Sequence, residues 1–150
     1  MEKVNSVLDK STSRETWELY NQECEKLKSD LACHSNELHF LQELLDRYFE
    51  EIVHNENLDE VRESLMRFQD LCYNCGRLKK RLKDHQDHLI DIIKGSTNYD
   101  PDMLFQEQSW IVKCKSSLMK DFKTVKKEIL NIANNVIQIN KDNNDIVFLH

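Results

Sequence analysis

HSNELHFLQELLDRYFEEIVH, residues His34 to His54, carries three histidines, five acidic residues and a Glu51-x-x-His54 pair. Two architectures compete for this stretch. In one it belongs to a metal-binding bundle, where Glu-x-x-His pairs from two helices and glutamates from two others project inward. In the other it is one wall of a hydrophobic core. His34 and His54 stand 20 residues apart, about 30 Å along a helix axis, so they cannot share an ion. His39 follows Leu38 by one position, which turns it about 100° away. Leu38, Leu41, Leu45, Tyr48 and Ile52 repeat in steps of three and four, the signature of a heptad seam. The stretch reads as a core wall, and of its histidines His34 falls on the seam.

The seam extends back through Leu31, Leu27, Cys24, Tyr20 and Trp17 without a slip. Thr12 with Glu15 offers a capping box, and Asn55-Glu56-Asn57 interrupts the far end, giving a first helix of about 13–54. Asn57 with Glu60 opens a second helix of about 57–94, whose seam is Leu58, Val61, Leu65, Phe68, Leu71, Cys75, Leu78, Leu82, His85, Leu89 and Ile92. This seam has a hitch between Phe68 and Cys75, next to Gly76. The hitch predicts a bend or local overwinding there, unless Gly76 serves a close helix approach. Gly95 supplies a C-terminal stop, and Asp100-Pro101 starts a third helix of about 101–140. Its apolar positions run Leu104, Ile111, Cys114, Leu118, Phe122, Val125, Ile129, Ile132, Val136 and Ile139.

The expected fold is all-α: an elongated antiparallel up-down-up three-helix bundle with helices of about 40 residues. One domain spans 1–150, with flexible or docked tails at 1–12 and 141–150. Antiparallel pairing makes facing residue numbers sum to about 111 across the first two helices and about 196 across the last two, within a turn. Such a bundle resembles spectrin-type repeats and the regulatory bundles of membrane-fusion proteins in architecture. Trp17 is the residue shared with the spectrin pattern, and no role is carried over.

Two glycines, one proline and 32% charged residues fit a mainly helical chain. The opening Met1-Glu2-Lys3 lacks an apolar leader core, and no run approaches a membrane span, so a cytoplasmic location is expected. The five cysteines sit within helical patterns, where reduced thiols act as small hydrophobes.

Three chemical constellations are available. Cys72 and Cys75, at i and i+3, share a level with His34 and Asp121, a soft zinc set. The alternative reading is two buried thiols and a hydrogen-bonded core histidine. The same cysteine pair could act as a thiol redox sensor, although it lies mid-helix, where no helix dipole activates it and an i, i+3 disulfide is strained. His85 and His88 share a level with Glu23, Cys24, Glu107 and Gln108, a second metal set that equally suits a buried histidine beside a solvated rim. The glycines are too far apart for a phosphate loop, and no nucleophile has an identifiable base, so no catalytic residue and no cofactor is assigned.

The net charge is −6. The first helix holds four basic and ten acidic residues, whereas Arg77, Lys79, Lys80, Arg81 and Lys83 share a level with Lys113, Lys115 and Lys120. This predicts a basic mid-bundle face, open to phosphate but also to neutralisation by Asp30 and Glu37. The acidic total and the lack of interleaved aromatics argue against nucleic acid.

Toward one end the apolar stripe widens. Phe40, Leu44, Phe49, Val53, Met66 and Tyr73, with Leu130 and Ile137, exceed what a three-helix seam requires, and the tail Ile146-Val147-Phe148-Leu149 returns to the same end. The expected function is a non-enzymatic protein–protein interaction module, self-associating as a homodimer through this end. A metal-binding bundle (zinc or iron) is the alternative. No membrane contact or small-molecule substrate is expected.

Overall fold

The computed structural model describes residues 2–55 and 57–149, and the side chains of 13–54 and 57–142. The described residues form four helices and no strand: α1 (Glu2–Arg47), α2 (Phe49–Asn55), α3 (Leu58–Ile93) and α4 (Pro101–Leu149).

Helix ends follow local chemistry. Asn57 Oδ1 accepts the Asp59 amide at 3.1 Å, satisfying one donor of the first turn of α3. Asp100 Oδ1 accepts the Asp102 amide at 2.9 Å beside Pro101, which opens α4. At the end of α3 the chain turns at Gly95, with φ of 75°. Its amide donates to the Ile92 carbonyl at 2.9 Å, and the Ser96 amide donates to the Asp91 carbonyl at 3.0 Å. This paired arrangement closes the helix and requires the left-handed conformation that glycine adopts without penalty.

Three expectations are corrected. The first helix begins at Glu2 and passes through Thr12, so Thr12 is not its cap. Residues 2–12 contain neither Gly nor Pro to stop a helix. At its other end Tyr48 separates α1 from α2, yet its amide donates to the Leu44 carbonyl at 3.2 Å and its carbonyl accepts the Ile52 amide at 2.9 Å, so helical phase is kept. The backbone of α4 likewise continues to Leu149 rather than fading near residue 140. Cover of the apolar end by the side chains of Ile146 to Leu149 lies outside the described residues.

The third correction concerns Gly76, where α3 is unbroken. Val61, Ser64, Phe68, Leu71, Cys75, Leu78, Leu82, His85, Leu89 and Ile92 are buried in strict alternation of three and four, and Gln86, beside His85, is the one further buried position of the helix. Ser64, not Leu65, occupies the seam, so there is no hitch to resolve. Arg67 Nη2 donates to Ser64 Oγ at 3.3 Å, which lets a hydroxyl stand at a core position. Close approach does not explain the glycine either, because a Cβ on Gly76 would meet nothing within 4 Å.

Contacts gather into two compact units, Met1–Ala32 with Gly76–Ser116, and Cys33–Cys75 with Ser117–His150. The core of the first joins Trp17, Cys24, Leu27 and Leu31 to Leu78, Leu82, Leu89 and Ile92 and to Leu104 and Ile111. That of the second joins Leu38, Leu41, Leu45 and Ile52 to Val61, Phe68, Leu71 and Cys75 and to Leu118, Phe122, Val125, Ile129, Ala133 and Val136.

Candidate interaction surface

The first unit contains a buried polar node. Gln108 is 4% exposed and stands between Leu104 and Ile111, where the apolar pattern of α4 has a gap. Its Oε1 accepts from His85 Nε2 at 2.7 Å and from the Cys24 thiol at 3.6 Å. Its Nε2 donates to the Tyr20 carbonyl at 3.2 Å and to Glu23 Oε1 at 2.7 Å. The amide is therefore fully satisfied, as a buried amide must be. Burial holds the His85 imidazole below its ordinary pKa, outweighing the Gln108 bond and the Glu107 charge that act the other way. The ring is thus kept neutral, with its proton on Nε2. Burial, aided by Glu23 and Glu25, pushes the Cys24 thiol up to about 11.

Beside the node, Arg81 forms a two-pronged pair with Glu107 at 2.6 and 2.8 Å, and its guanidinium lies 3.7 Å over the Trp110 ring. The Arg81 bond holds the Glu107 carboxyl below the usual carboxylate range. His85, His88 and Glu107 do line one cleft of about 420 Å³, as the sequence spacing suggests. Each except His88 is committed to a neighbour, and Glu23 is committed to Gln108.

The residues of the other proposed metal set stand in separate packing environments. His34 packs against Phe122 at a centroid distance of 4.7 Å, and its buried Nδ1 has no hydrogen-bond partner, contrary to the hydrogen-bonded core histidine expected. Cys75 shares a hydrogen bond with Ser35 at 3.6 Å. Among the described residues, no three His, Cys, Asp or Glu side chains group closely enough to hold a metal ion, so neither the His34/Cys72/Cys75 nor the His85/His88/Glu23/Glu107 set is brought together as a ligand cluster. Burial raises the Cys72 thiol above its ordinary pKa, with Cys75 adding to the effect, so Cys72 has little thiolate with which to begin exchange.

The proposed contact residues all belong to the second unit. Phe40, Phe49, Met66 and Tyr73 are 58%, 54%, 57% and 66% exposed, while Leu44 and Val53 are half-buried. They do not form one patch. Phe40 and Phe49 are nine positions apart, about two and a half turns, and therefore leave the helix on opposite sides. Met66 and Tyr73, two turns apart, share the face of α3 opposite its buried seam.

Phe40 and Leu44 follow Glu37, which meets Lys126 of α4 at 2.8 Å. Leu130 follows Lys126 by one turn, and Ile137 lies two turns further. Phe40, Leu44, Leu130 and Ile137 thus share the flank where α1 meets α4. Along it runs a cleft of about 760 Å³ floored by Phe122, Met119 and Leu130 and rimmed by Lys123 and Lys127.

The sequence pattern missed further exposed apolar side chains in the first unit. Met103 and Trp110, two turns apart on one face of α4, are 67% and 44% exposed, and Phe105, 59% exposed, leaves the helix on the other side. They fall between the seam positions of α4, a signal available in the sequence once Gln108 is placed on the seam. Among the described residues no helix is long and apolar enough to cross a membrane. No family model, curated protein or solved structure matches this chain.

Proposed function

We propose that the chain is a non-enzymatic helical interaction module that pairs with a second copy of itself through the α1/α4 flank carrying Phe40, Leu44, Leu130 and Ile137. The observation that carries this reading is the exposure of large apolar side chains on helices whose cores are already filled. A soluble helix gains nothing from Phe40 facing water, and a neighbouring surface usually covers such a group. Two-fold pairing is the commonest form of that cover. Each large side chain fully removed from water contributes about 1.5 to 3 kcal/mol. Three on each of two subunits then supply about 9 to 18 kcal/mol against an association cost of about 4 to 15 kcal/mol, and the surplus of about 8 kcal/mol that a micromolar dimer requires lies within that range.

The supporting frame is a single antiparallel up-down-up three-helix bundle in a reducing cytoplasm. Within the first unit α1 and α4 run the same way, since Glu23 meets Gln108 and Asp30 meets Lys115. Gln86 with Glu25 in that unit, and Ser35 with Cys75 and Arg67 with Glu128 at 2.9 Å in the second, support the reading, since they lie within about a turn of the expected sums. All five cysteines are free. Replacing Phe40 and Leu44 together with Glu tests the surface: the variant should remain helical by circular dichroism and sediment as a monomer. Unchanged dimerisation would move the interface elsewhere.

A further inference from the structure

The first unit carries a cleft that the proposed pairing does not use. Between α1 and α3 is a cleft of about 370 Å³ whose floor is Leu31 and Leu82 and whose rim carries Lys28, Lys79, Lys80 and Lys83. Lys79 and Lys83 are one turn apart on α3, so their ammonium groups share a face. Lys28 reaches the same cleft from α1, one turn beyond Glu25, which accepts from Gln86. Four cations on two helices therefore converge on one opening.

Their neutralisation is incomplete. Asp87 lines the cleft and meets Lys83 at 3.1 Å, and Glu25 at its edge is engaged by the Gln86 amide. Among the described residues, Lys28, Lys79 and Lys80 have no carboxylate within ion-pair distance. Elsewhere in this unit the cations facing other helices are matched: Lys115 with Asp30 at 3.2 Å, and Arg81 with Glu107 at 2.6 Å. The basic face expected from the sequence thus divides. One part is consumed by ion pairs, and the other is left as an uncompensated lysine cluster in a chain of net charge −6. Like charges held together on packed helices repel one another, and a bound polyanion removes that repulsion.

We propose that this cleft binds a compact polyphosphate, free or as a lipid headgroup, with Lys28, Lys79 and Lys80 contacting the phosphates. Lysine suits this role because its ammonium is a mobile point charge on a flexible stem, able to follow phosphate oxygens without fixed geometry. Leu31 and Leu82, both fully buried, back the cleft without presenting a surface, so recognition falls to the lysines, and the cleft volume suits one compact anion, not a duplex groove.

Titration calorimetry of the full chain with inorganic tripolyphosphate at low ionic strength tests the site. Saturable binding of one equivalent is expected, weakening steeply with added salt because ion release drives it. K28Q/K79Q/K80Q should lower affinity by about tenfold or more with helix content unchanged, whereas K120Q/K123Q/K127Q, which removes equal charge from the second unit, should lower it by less than about threefold. Vesicles with and without phosphatidylinositol 4,5-bisphosphate identify the source. Capture of the former that tripolyphosphate reverses identifies a headgroup, and failure of capture beside tripolyphosphate binding identifies a free ligand. The proposal is overturned if tripolyphosphate does not bind saturably, or if both triple variants lose affinity equally.

Discussion

Replacing Gln108 with Leu should destabilise the protein, replacing His85 with Leu should do the same, and making both changes together should undo most of the damage. His85 is 6% exposed and directs Nε2 at Gln108 Oε1, 2.7 Å away. With Leu at 108, that N–H remains in the core without an acceptor, at about 1 to 3 kcal/mol. With Leu at 85, Gln108 Oε1 keeps only a thiol at 3.6 Å, a weak donor, and the expected loss is similar. In the double variant two leucines occupy seam positions, one between Leu82 and Leu89 and the other between Leu104 and Ile111. Removing both partners for apolar groups of similar size is close to neutral or stabilising. The Glu23 carboxylate, being exposed, returns to water. The cycle should therefore show a coupling energy of about 2 to 6 kcal/mol in favour of the double variant, the sum of the two single losses that it escapes. Urea unfolding near neutral pH, at one fixed protein concentration, measures all four members. Additive losses would refute the reasoning, since they would mean the bond itself, rather than an orphaned partner, sets the effect.

The same node predicts a pH dependence. The folded pKa of His85 is depressed by burial, so its contribution is complete above the unfolded value of about 6.5 and is lost as pH falls through the folded value, because the unfolded chain takes the proton first. Wild type should lose stability faster than H85L/Q108L below that point, and parallel pH profiles would count against it. Gly76→Ala should raise stability by about 0.5 to 1 kcal/mol, since the helix is regular there and the new methyl meets open space. Gly95→Ala should lower it by about 1 to 2 kcal/mol through its positive φ, and thermal unfolding resolves the opposite signs. Toward a thiol reagent, exposed Cys33 should react first, and Cys24, buried with its pKa pushed up to about 11, only on unfolding; early modification of Cys24 would contradict its placement.

The helix ends were legible wherever a residue forbids the alternative. Gly95 and Asp100-Pro101 stop and start helices by backbone geometry, and Asn57 caps as its side chain dictates. Thr12 misled because a favourable cap does not itself stop a helix upstream. The seams were legible except where a polar residue stands on them. Apolar character favours Leu65 on the seam where helical phase favours Ser64, and placing Leu65 there produces the hitch assigned to Gly76. Gln108 was hidden for the same reason, since its burial depends on four partners from α1 and α3 that spacing alone cannot supply.

At the sites, the sequence brought His85, His88 and Glu107 to one level correctly. It could not show that His85 and Glu107 were already bonded to neighbours. The division of Phe40 from Phe49 was readable in principle, because nine residues of helix place two side chains on opposite sides. The lysine cleft was readable only as a basic level, because which cations find carboxylates is decided by rotation about each helix axis.

Light scattering on the unmodified chain tests the central claim most directly. At roughly 50 µM, well above a low-micromolar dissociation constant, the account predicts a particle of twice the 17.9 kDa chain mass, falling to one chain mass in F40E/L44E. A particle of one chain mass for the unmodified protein at that concentration would contradict it.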